Sequence, residues 1–348
     1  MHDVARVAQV SHQTVSRVLN DHPHVRPATK ERVQRAIAEL GYRRNAAARS
    51  LVTRRSGVIG LLTPRTDLYG PTSSMLAVEA AARDVGYFVS LASVADTSMA
   101  ALSAAVEHFK DQAAEAVVLI APERAWFTAG HIVAADIPVV TMCADFRAAQ
   151  PSLVTVALDN RAGARLVVQH LLELGHRDIA IIEGPSTSPE ASARLRSWRA
   201  ELQRAGLPAE RAYRGDWSSA SGYAAGCRIV DDGVPSAVFA ANDQMALGLL
   251  RALYEAGVKV PQDVSVAGFD DVPDSAYFTP ALTTVRQDFA SIAAQCVEVL
   301  DRLLRGEPVS SVRIRPELIV RSSTAAPSGS REPRQRQREN RGAAQRHR

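Results

Sequence analysis

The most restrictive feature of this sequence is a short run near its start, DVARVAQVSHQTVSRVLN at residues 3–20. Small and apolar residues recur there with the period of a helix, and Ser11 is a favourable N-cap for a second helix that begins at His12. One face of this second helix is apolar and consists of Val15, Val18 and Leu19. The pattern predicts a helix-turn-helix, whose second helix meets base edges in the major groove of DNA. An ordinary amphipathic helical hairpin would have the same spacing.

Charge is distributed unevenly along the 348 residues, although the whole chain carries only +4. Residues 1–55 contain eleven Lys and Arg against four Asp and Glu, and residues 325–348 contain seven Arg against two Glu. The long middle part is therefore net acidic. Basic ends on an acidic body are typical of a DNA-binding head on a domain that does not bind phosphates. The composition of residues 325–348 predicts a disordered basic tail.

Length and composition indicate a small head and a larger two-lobed body, with 46% hydrophobic residues in all. No stretch approaches the ~20 apolar residues that a membrane helix needs. The chain enters a charged helix at once, which is not how a signal peptide begins. The three cysteines, Cys143, Cys227 and Cys296, are widely spaced and are predicted to be buried, reduced thiols without a metal or disulfide role. These features predict a cytoplasmic protein that does not enter a membrane.

A third helix is predicted over residues 30–40, where it ends before Gly41. The run from residue 3 to residue 51 resembles the DNA-binding headpiece and hinge of the LacI/GalR family of bacterial transcription regulators. QTVSRVLN, AELGY and the Asn-x3-Arg-x-Leu pattern that ends at Leu51 carry this resemblance. It extends over nearly the whole chain, to about Ser323.

The family resemblance implies how the head would contact DNA. Base readout is assigned to the start of the second helix, at His12, Gln13 and Arg17. Contacts with the DNA backbone are assigned to Ser11, Thr14, Ser16, Asn20, Thr29, Tyr42 and Asn45. Residues 45–52 would form a hinge helix only on DNA, with Leu51 of each chain wedged into the minor groove at the centre of a pseudo-palindromic operator.

The body alternates short apolar runs with helical patterns. Strands are predicted at residues 58–62, 88–92, 116–120, 139–142, 179–182, 237–240 and 264–268. Helices are predicted at residues 73–86, 161–174, 191–205, 219–232 and 242–256, and helix-compatible segments also precede the strands at 116–120 and 139–142. The series breaks near Asn160 and then repeats, which predicts two α/β lobes, each with a parallel, doubly wound sheet. G-x-G-x-x-G after a strand, a P-loop and a catalytic constellation are all missing from the sequence, so no cofactor or enzymatic activity is expected.

The expected architecture is thus an all-α headpiece with a hinge helix, followed by a two-lobed core that resembles the periplasmic sugar-binding proteins. The head is placed at residues 1–44, the hinge at 45–56, the core at 57–324 and the tail at 325–348. Lobe 1 is predicted at about 57–157 and 288–315, and lobe 2 at about 158–287 and 316–324. In this fold the ligand lies between the lobes, at the carboxyl ends of the strands.

Five motifs fall at these strand ends: SARL at 192–195, GDWS at 215–218, ANDQMALG at 241–248, GFDD at 268–271 and LTTVRQDF at 282–289. They resemble the galactoside-responsive members of the family more closely than the family as a whole. The resemblance assigns effector binding to Arg194, Trp217, Asn242, Asp270, Gln287 and Phe289, with Leu68 on the remaining wall. These residue types suit a sugar, because hydroxyl groups need fixed donors and acceptors and the ring needs an aromatic face.

Each of these residues has an ordinary structural alternative. Arg194 could be an exposed arginine at a helix start, Trp217 could belong to the core, and Asn242 could simply cap a helix. Asp270 could cap a turn. Asp243 and Asp271 are interpreted as structural.

Three positions on the first lobe, Ser74, Pro64 and Cys143, depart from the family's pocket, so the preferred substituent on the sugar stays open. The tail lacks a leucine heptad, so a homodimer is expected. The sequence predicts a repressor that a small sugar, with a galactoside favoured, releases from its operator. The alternatives are a regulator with another effector (another sugar, a phosphosugar or a purine), one whose ligand enhances DNA binding, a sugar-binding protein with an incidental head, and a sugar enzyme.

Overall fold

The computed structural model describes residues 1–19, 22–42, 55–134, 136–143 and 153–327. The chain divides after Gly57 into two compact units. Residues 45–54 of the predicted hinge, the last two residues of the predicted head and the predicted tail beyond residue 327 lie outside the described residues.

The first unit contains helices α1 (His2–Val7), α2 (His12–Leu19) and α3 (Pro27–Glu39). Their apolar faces form one small core, which consists of Val4, Ala5, Ala8, Val15, Val18, Val33 and Ala36. The turn between α1 and α2 is sharp because Gln9 adopts a positive φ of 52°. The hydroxyl of Ser11 accepts a hydrogen bond from Thr14 N at 3.1 Å, which confirms the predicted N-cap. Helix α3 begins earlier than predicted because Pro27 occupies its first turn, where proline is favourable.

The second unit contains a six-stranded parallel sheet in the order β11-β5-β4-β3-β1-β2. Its strands are β1 (Val58–Pro64), β2 (Phe88–Val94), β3 (Ala116–Ala121), β4 (Val139–Cys143), β5 (Val154–Leu158) and β11 (Val312–Ile314). Helices α4 (Tyr69–Asp84) and α11 (Phe289–Leu304) pack on one face, and α5 (Met99–Asp111) and α6 (Arg124–Ala134) pack on the other. Strand β3 is buried at every position, as expected for a central strand covered on both faces.

A second parallel sheet has four strands in the order β7-β6-β8-β9. These are β6 (Ile179–Glu183), β7 (Ala212–Arg214), β8 (Ala237–Ala240) and β9 (Ser265–Ala267). Helices α7 (Asn160–Glu173) and α8 (Pro189–Arg204) cover one face, and α9 (Ser219–Asp231) and α10 (Asp243–Glu255) cover the other. The two sheets confirm the predicted pair of doubly wound α/β layers.

The chain passes between the two sheets where β5 leads into α7, and it returns through β10 (Thr284–Arg286) into α11. It crosses again from β11 to β12 (Glu317–Ile319), which pairs antiparallel with β10. The sequence analysis missed β5, β7, β10, β11, β12 and α11. Four of these strands have only three residues, too few to show a period of two.

The cysteines differ from the prediction at one position. Cys296 is buried, but Cys227 is partly exposed, so the prediction of a buried thiol is wrong there. Cys227 lies one helical turn after Tyr223, an exposed residue on the same face of α9. The side chain of Cys143 lies outside the described residues. Within the described residues, every helix is too short or too polar to cross a lipid bilayer.

Candidate functional site

A cavity of about 650 Å³ lies in the second unit. Its wall includes residues just after β3, β5 and β8, so it opens where strands of both sheets end. Ligands of parallel α/β sheets bind at this edge. All the residues predicted for the effector line this cavity: Leu68, Arg194, Trp217, Asn242, Asp270, Gln287 and Phe289.

The polar side of the cavity, here the polar wall, consists of Asn160, Arg194, Trp217, Asn242, Asp270 and Gln287. Arg194 on α8 is at its centre and is only 3% exposed, so the alternative of an exposed arginine is wrong. Its Nε donates to Asn160 Oδ1 at 2.9 Å, and its Nη1 donates to the carbonyl of Ala241. The guanidinium also lies over the ring of Phe269, 3.6 Å from the centroid. These contacts fix its plane.

Asp270 follows β9 and is 6% exposed, with Oδ1 3.6 Å from Arg194 Nη1. Its φ of 122° is rare for a residue with a side chain, and such strain is typical of functional sites. Gln287 Nε2 donates to Asp270 Oδ1 at 2.5 Å. Burial raises the pKa of Asp270 to about 6, although the nearby Arg194 charge and the Gln287 hydrogen bond act in the opposite direction. The polar wall therefore holds a buried carboxyl group beside a buried cation.

Asn242 and Trp217 are joined to each other. Asn242 Oδ1 caps α10 by accepting a hydrogen bond from Met245 N at 3.0 Å, and its Nδ2 donates to the carbonyl of Trp217 at 3.0 Å. The capping alternative for Asn242 is thus realised, while the residue still lines the cavity. Trp217 is half-buried, has a φ of 78° and lies 5.4 Å from the Arg194 guanidinium. Its ring is held against Gly184, where an added Cβ would overlap it.

The apolar part of the lining, here the apolar wall, consists of Leu68, Tyr69, Ile120, Met142, Val156, Leu158, Phe289 and Ile292. Leu68 and Phe289 are half-buried, at the starts of α4 and α11. The rings of Tyr69 and Phe289 form an edge-to-face pair with centroids 5.8 Å apart. This wall offers surface for an apolar group and few hydrogen bonds.

In the first unit, the predicted base readers lie on α2, with His12 and Gln13 in its first turn and Arg17 in its last. His12, Gln13 and Arg17 are exposed, and the His12 ring stacks on His2 with centroids 4.8 Å apart. Ser11 is exposed, whereas Thr14, Ser16, Thr29 and Tyr42 are half-buried. Tyr42 also packs against the core of this unit. Asn20, Asn45 and Leu51 lie outside the described residues.

Comparisons with known proteins match both units. Residues 1–45 match the family described as bacterial regulatory proteins, lacI family, and residues 168–324 match a periplasmic binding protein-like domain. The lactose operon repressor of Escherichia coli (strain K12) is 35% identical over 331 residues, which is 94% of this chain and 91% of that protein. The lactose operon repressor of Klebsiella pneumoniae is 33% identical over 336 residues, 96% of this chain and 94% of that protein.

A solved structure of the lac repressor dimer bound to operator and the anti-inducer ONPF has a TM-score of 0.79 at 33% identity, covering 93% of this chain and 98% of that one. This chain belongs to the lacI family of bacterial regulatory proteins. It is a DNA-binding transcriptional regulator with an N-terminal helix-turn-helix head and a two-lobed core of the periplasmic binding protein type.

This lacI-family regulator has pocket residues that the sequence analysis missed. Asn160 orients Arg194, and its Nδ2 donates to the carbonyl of Leu158 at 3.3 Å. Tyr69, Glu190 and Gln244 also line the cavity. Asn160 and Gln244 could have been predicted from their positions in the sequence, because each follows the end of a strand. The sequence signal for Glu190 was weaker. This residue precedes Arg194 by four positions, which places both side chains on the same face of the helix.

The interpretation of Asp243 and Asp271 as structural is confirmed. Asp243 is fully buried and accepts hydrogen bonds from Thr284 Oγ1 at 2.6 Å and Val272 N at 3.0 Å. Asp271 pairs with Arg286 at 2.7 Å and with Arg321 at 2.6 Å. Both tie the loop after β9 to its neighbours and thereby support Asp270.

Of the first-lobe positions that depart from the family pattern, Ser74 lines the cavity of this regulator and is buried. Pro64, the last residue of β1, is not among the lining residues described. The expected influence of Pro64 on the pocket is therefore indirect, through the loop that leads to Leu68.

Proposed function

We propose that this regulator is a repressor that leaves its operator when a small sugar, with a galactoside the first candidate, fills the cavity. The observation that carries this proposal is the polar wall, in which Arg194, Asp270 and Gln287 form one buried network beside the face of Trp217. A sugar needs such a set, because its hydroxyls pair with fixed donors and acceptors and its apolar ring face stacks on an aromatic ring.

Arg194 and Asp270 have complementary tasks in this proposal. The protein bonds of Arg194 use Nε and Nη1, and the remaining nitrogen, Nη2, supplies donors for a hydroxyl. Asp270 accepts from one or two hydroxyls while Gln287 keeps its carboxylate in place. Hydroxyl bonds would replace the water that a carboxylate otherwise needs, so a sugar relieves part of the cost of burying Asp270.

The apolar wall has a different task. Leu68 and Phe289 would contact the substituent of a glycoside, with little demand on its shape. We therefore expect a glycoside with an apolar substituent to bind more tightly than the free sugar.

DNA binding would use the predicted head at residues 1–44, with His12, Gln13 and Arg17 reading bases. The exposure of these side chains on α2 supports that role. Two chains would pair through their cores, so that two heads read the halves of a pseudo-palindrome. Residues 45–56 would form the hinge, with Leu51 as the minor-groove wedge. The operator-bound dimer of the related lac repressor supports this arrangement.

Release would follow from a population shift. If the sugar binds a closed arrangement of the core more tightly, it disfavours the arrangement that holds both hinges on DNA. In this proposal the protein is a cytoplasmic regulator and not an enzyme, as the names of its relatives also favour.

Isothermal titration with galactosides, glucosides, xylosides and purines tests the pocket. We expect saturable heat with a galactoside, its loss in Arg194→Ala and its retention in Arg199→Ala, an exposed arginine on the same helix. A purine that binds in place of every sugar would overturn the proposed effector.

Selection of operators from random DNA, followed by fluorescence anisotropy, tests the head. Arg17→Ala should weaken binding to the selected operator by ~1–3 kcal/mol and relax its sequence preference. Arg35→Ala, an exposed arginine on α3, provides the control for lost charge. Addition of the bound sugar should release the operator, and tighter DNA binding with sugar would reverse the proposed sign of the response.

A further inference from the structure

We infer that the cavity excludes anionic ligands, and that Glu190 is the residue that sets this exclusion. The inference rests on the proposed sugar response and deepens it: the effector would be an uncharged sugar or glycoside, whereas sugar phosphates and uronic acids would be rejected.

The charged residues of the lining disfavour an anion. Asp67, Glu190 and Asp270 line the cavity, and Arg194 is the one cation among its described lining residues. The Arg194 charge already faces Asp270 at 3.6 Å and stacks on Phe269. A phosphate needs several cationic donors that it does not have to share with a carboxylate. This cavity would place a phosphate among like charges.

Three helices begin beside the cavity. Ser188, Asn242 and Gln287 line it, and they stand at or next to the starts of α8, α10 and α11. A helix start attracts anions through its free N–H groups and its dipole. Each of these helix starts has an acidic residue of its own: Glu190 on α8, Asp243 on α10 and Asp288 at the cap of α11. The positive ends of α8 and α11 are therefore already compensated, and Asp243 compensates α10 less, because burial raises the pKa of its carboxyl group.

Among these acids, Glu190 is the one that faces the cavity directly. Asp243 is fully buried and accepts hydrogen bonds from Thr284 Oγ1 and Val272 N. Asp288 caps its own helix by accepting a hydrogen bond from Ser291 N at 3.0 Å. Glu190 lines the cavity itself, held there by the Ser188 hydroxyl, which donates to Glu190 Oε2 at 2.8 Å.

Glu190 also acts on the two charged residues of the polar wall. It lies one helical turn before Arg194. Burial lowers the pKa of Arg194 and raises the pKa of Asp270, and the negative charge of Glu190 opposes the first shift and adds to the second. Its field therefore reaches the place where the proposed sugar would bind. A neutral ligand is indifferent to this field, whereas an anion is repelled by it.

The test compares matched ligands: galactose with galactose 6-phosphate, and phenyl galactoside with phenyl galacturonide, by titration calorimetry at low salt. The readout is the ratio of the two dissociation constants within each variant. In the natural protein we expect the anion to bind at least tenfold more weakly. Glu190→Gln should reduce this ratio by about tenfold, and Asp67→Asn, at a more exposed position, by less. Asp231→Asn removes an exposed acid at the end of α9 and should leave the ratio as it is.

Equal affinity for the neutral and anionic members of a pair in the natural protein would overturn the inference. A ratio in Glu190→Gln within twofold of the natural one would also overturn it, and both results would leave the sugar response standing. Failure of every neutral sugar to bind would contradict the proposed function itself, and the inference would fall with it.

Discussion

The two walls of the cavity are built in opposite ways. In the polar wall, Gln287 donates a hydrogen bond to Asp270, whose carboxylate lies 3.6 Å from Arg194 Nη1, and Arg194 and Asp270 are both buried. In the apolar wall, Leu68 and Phe289 are half-buried at the first turns of two helices and rest on neighbours without directional bonds.

This difference indicates how each wall responds to change. A buried network loses more than one interaction when one member is removed, because the remaining polar groups are left without partners. An apolar wall loses area in proportion to the atoms removed. We therefore expect the polar wall to decide whether a ligand binds and the apolar wall to tune how tightly it binds.

The largest effect is expected from Arg194→Ala. Its removal leaves Asp270 buried without a cation and leaves Asn160 Oδ1 and the Ala241 carbonyl without a donor. We expect a loss of ~3–5 kcal/mol in the free energy of unfolding, together with loss of sugar binding. Urea unfolding and calorimetry measure the two quantities, with Arg199→Ala as the control. A stable variant that keeps its affinity would contradict the interdependence of the polar wall.

Asp270→Asn should change how stability depends on pH. Burial raises the pKa of Asp270 from 3.8, its ordinary value in an unfolded chain, to about 6 in the folded protein, so folding favours the protonated form. Its contribution is present in full below pH 3.8 and is lost as pH rises through 6, by about 3 kcal/mol at most.

Urea midpoints between pH 4 and pH 7 measure this contribution. Stability of the natural protein should fall with rising pH relative to Asp270→Asn, and Asp231→Asn should follow the natural protein. Parallel curves for the natural protein and Asp270→Asn would show that the buried carboxyl does not titrate as described.

Gly184→Ala tests the aromatic part of the polar wall without touching its charges. The added methyl group would overlap the Trp217 ring, and such overpacking costs ~1–3 kcal/mol. We expect sugar affinity to fall by roughly tenfold as the ring moves, while the Arg194 bonds remain. In a Trp217→Ala background the same change should have little further effect, since its target is gone. If Gly184→Ala lowered sugar affinity just as much in the Trp217→Ala background, the added methyl group would act on a residue other than Trp217.

Leu68→Ala should have the smallest effect. It removes half-buried apolar surface from the apolar wall, worth roughly 1 kcal/mol, so affinity for phenyl galactoside should fall several-fold. Affinity for free galactose should fall less, because galactose has no apolar substituent. Leu247→Ala, an exposed leucine on α10, is the control. An equal loss for both ligands would mean that Leu68 contacts the sugar ring itself.

Much of this architecture was predictable from local patterns. The helix-turn-helix follows from helical spacing and the Ser11 cap, and the two sheets follow from apolar runs alternating with helices. Strands β10, β11 and β12 could not be predicted in this way, because segments of three residues carry no period and are fixed only by their partners. The exposure of Cys227 likewise depends on which face of α9 meets the core.

The sequence by itself determined the family, the order of head and core, and the residue types that line the cavity, because motifs and periodicity are local properties of a chain. Tertiary structure decided what each pocket residue does. Asn160 and Ala241, distant in sequence, fix the guanidinium of Arg194, and burial together with charge sets the pKa of Asp270. Those effects depend on distances between segments that only the packed sheets bring together, and on the exclusion of water from the space between them.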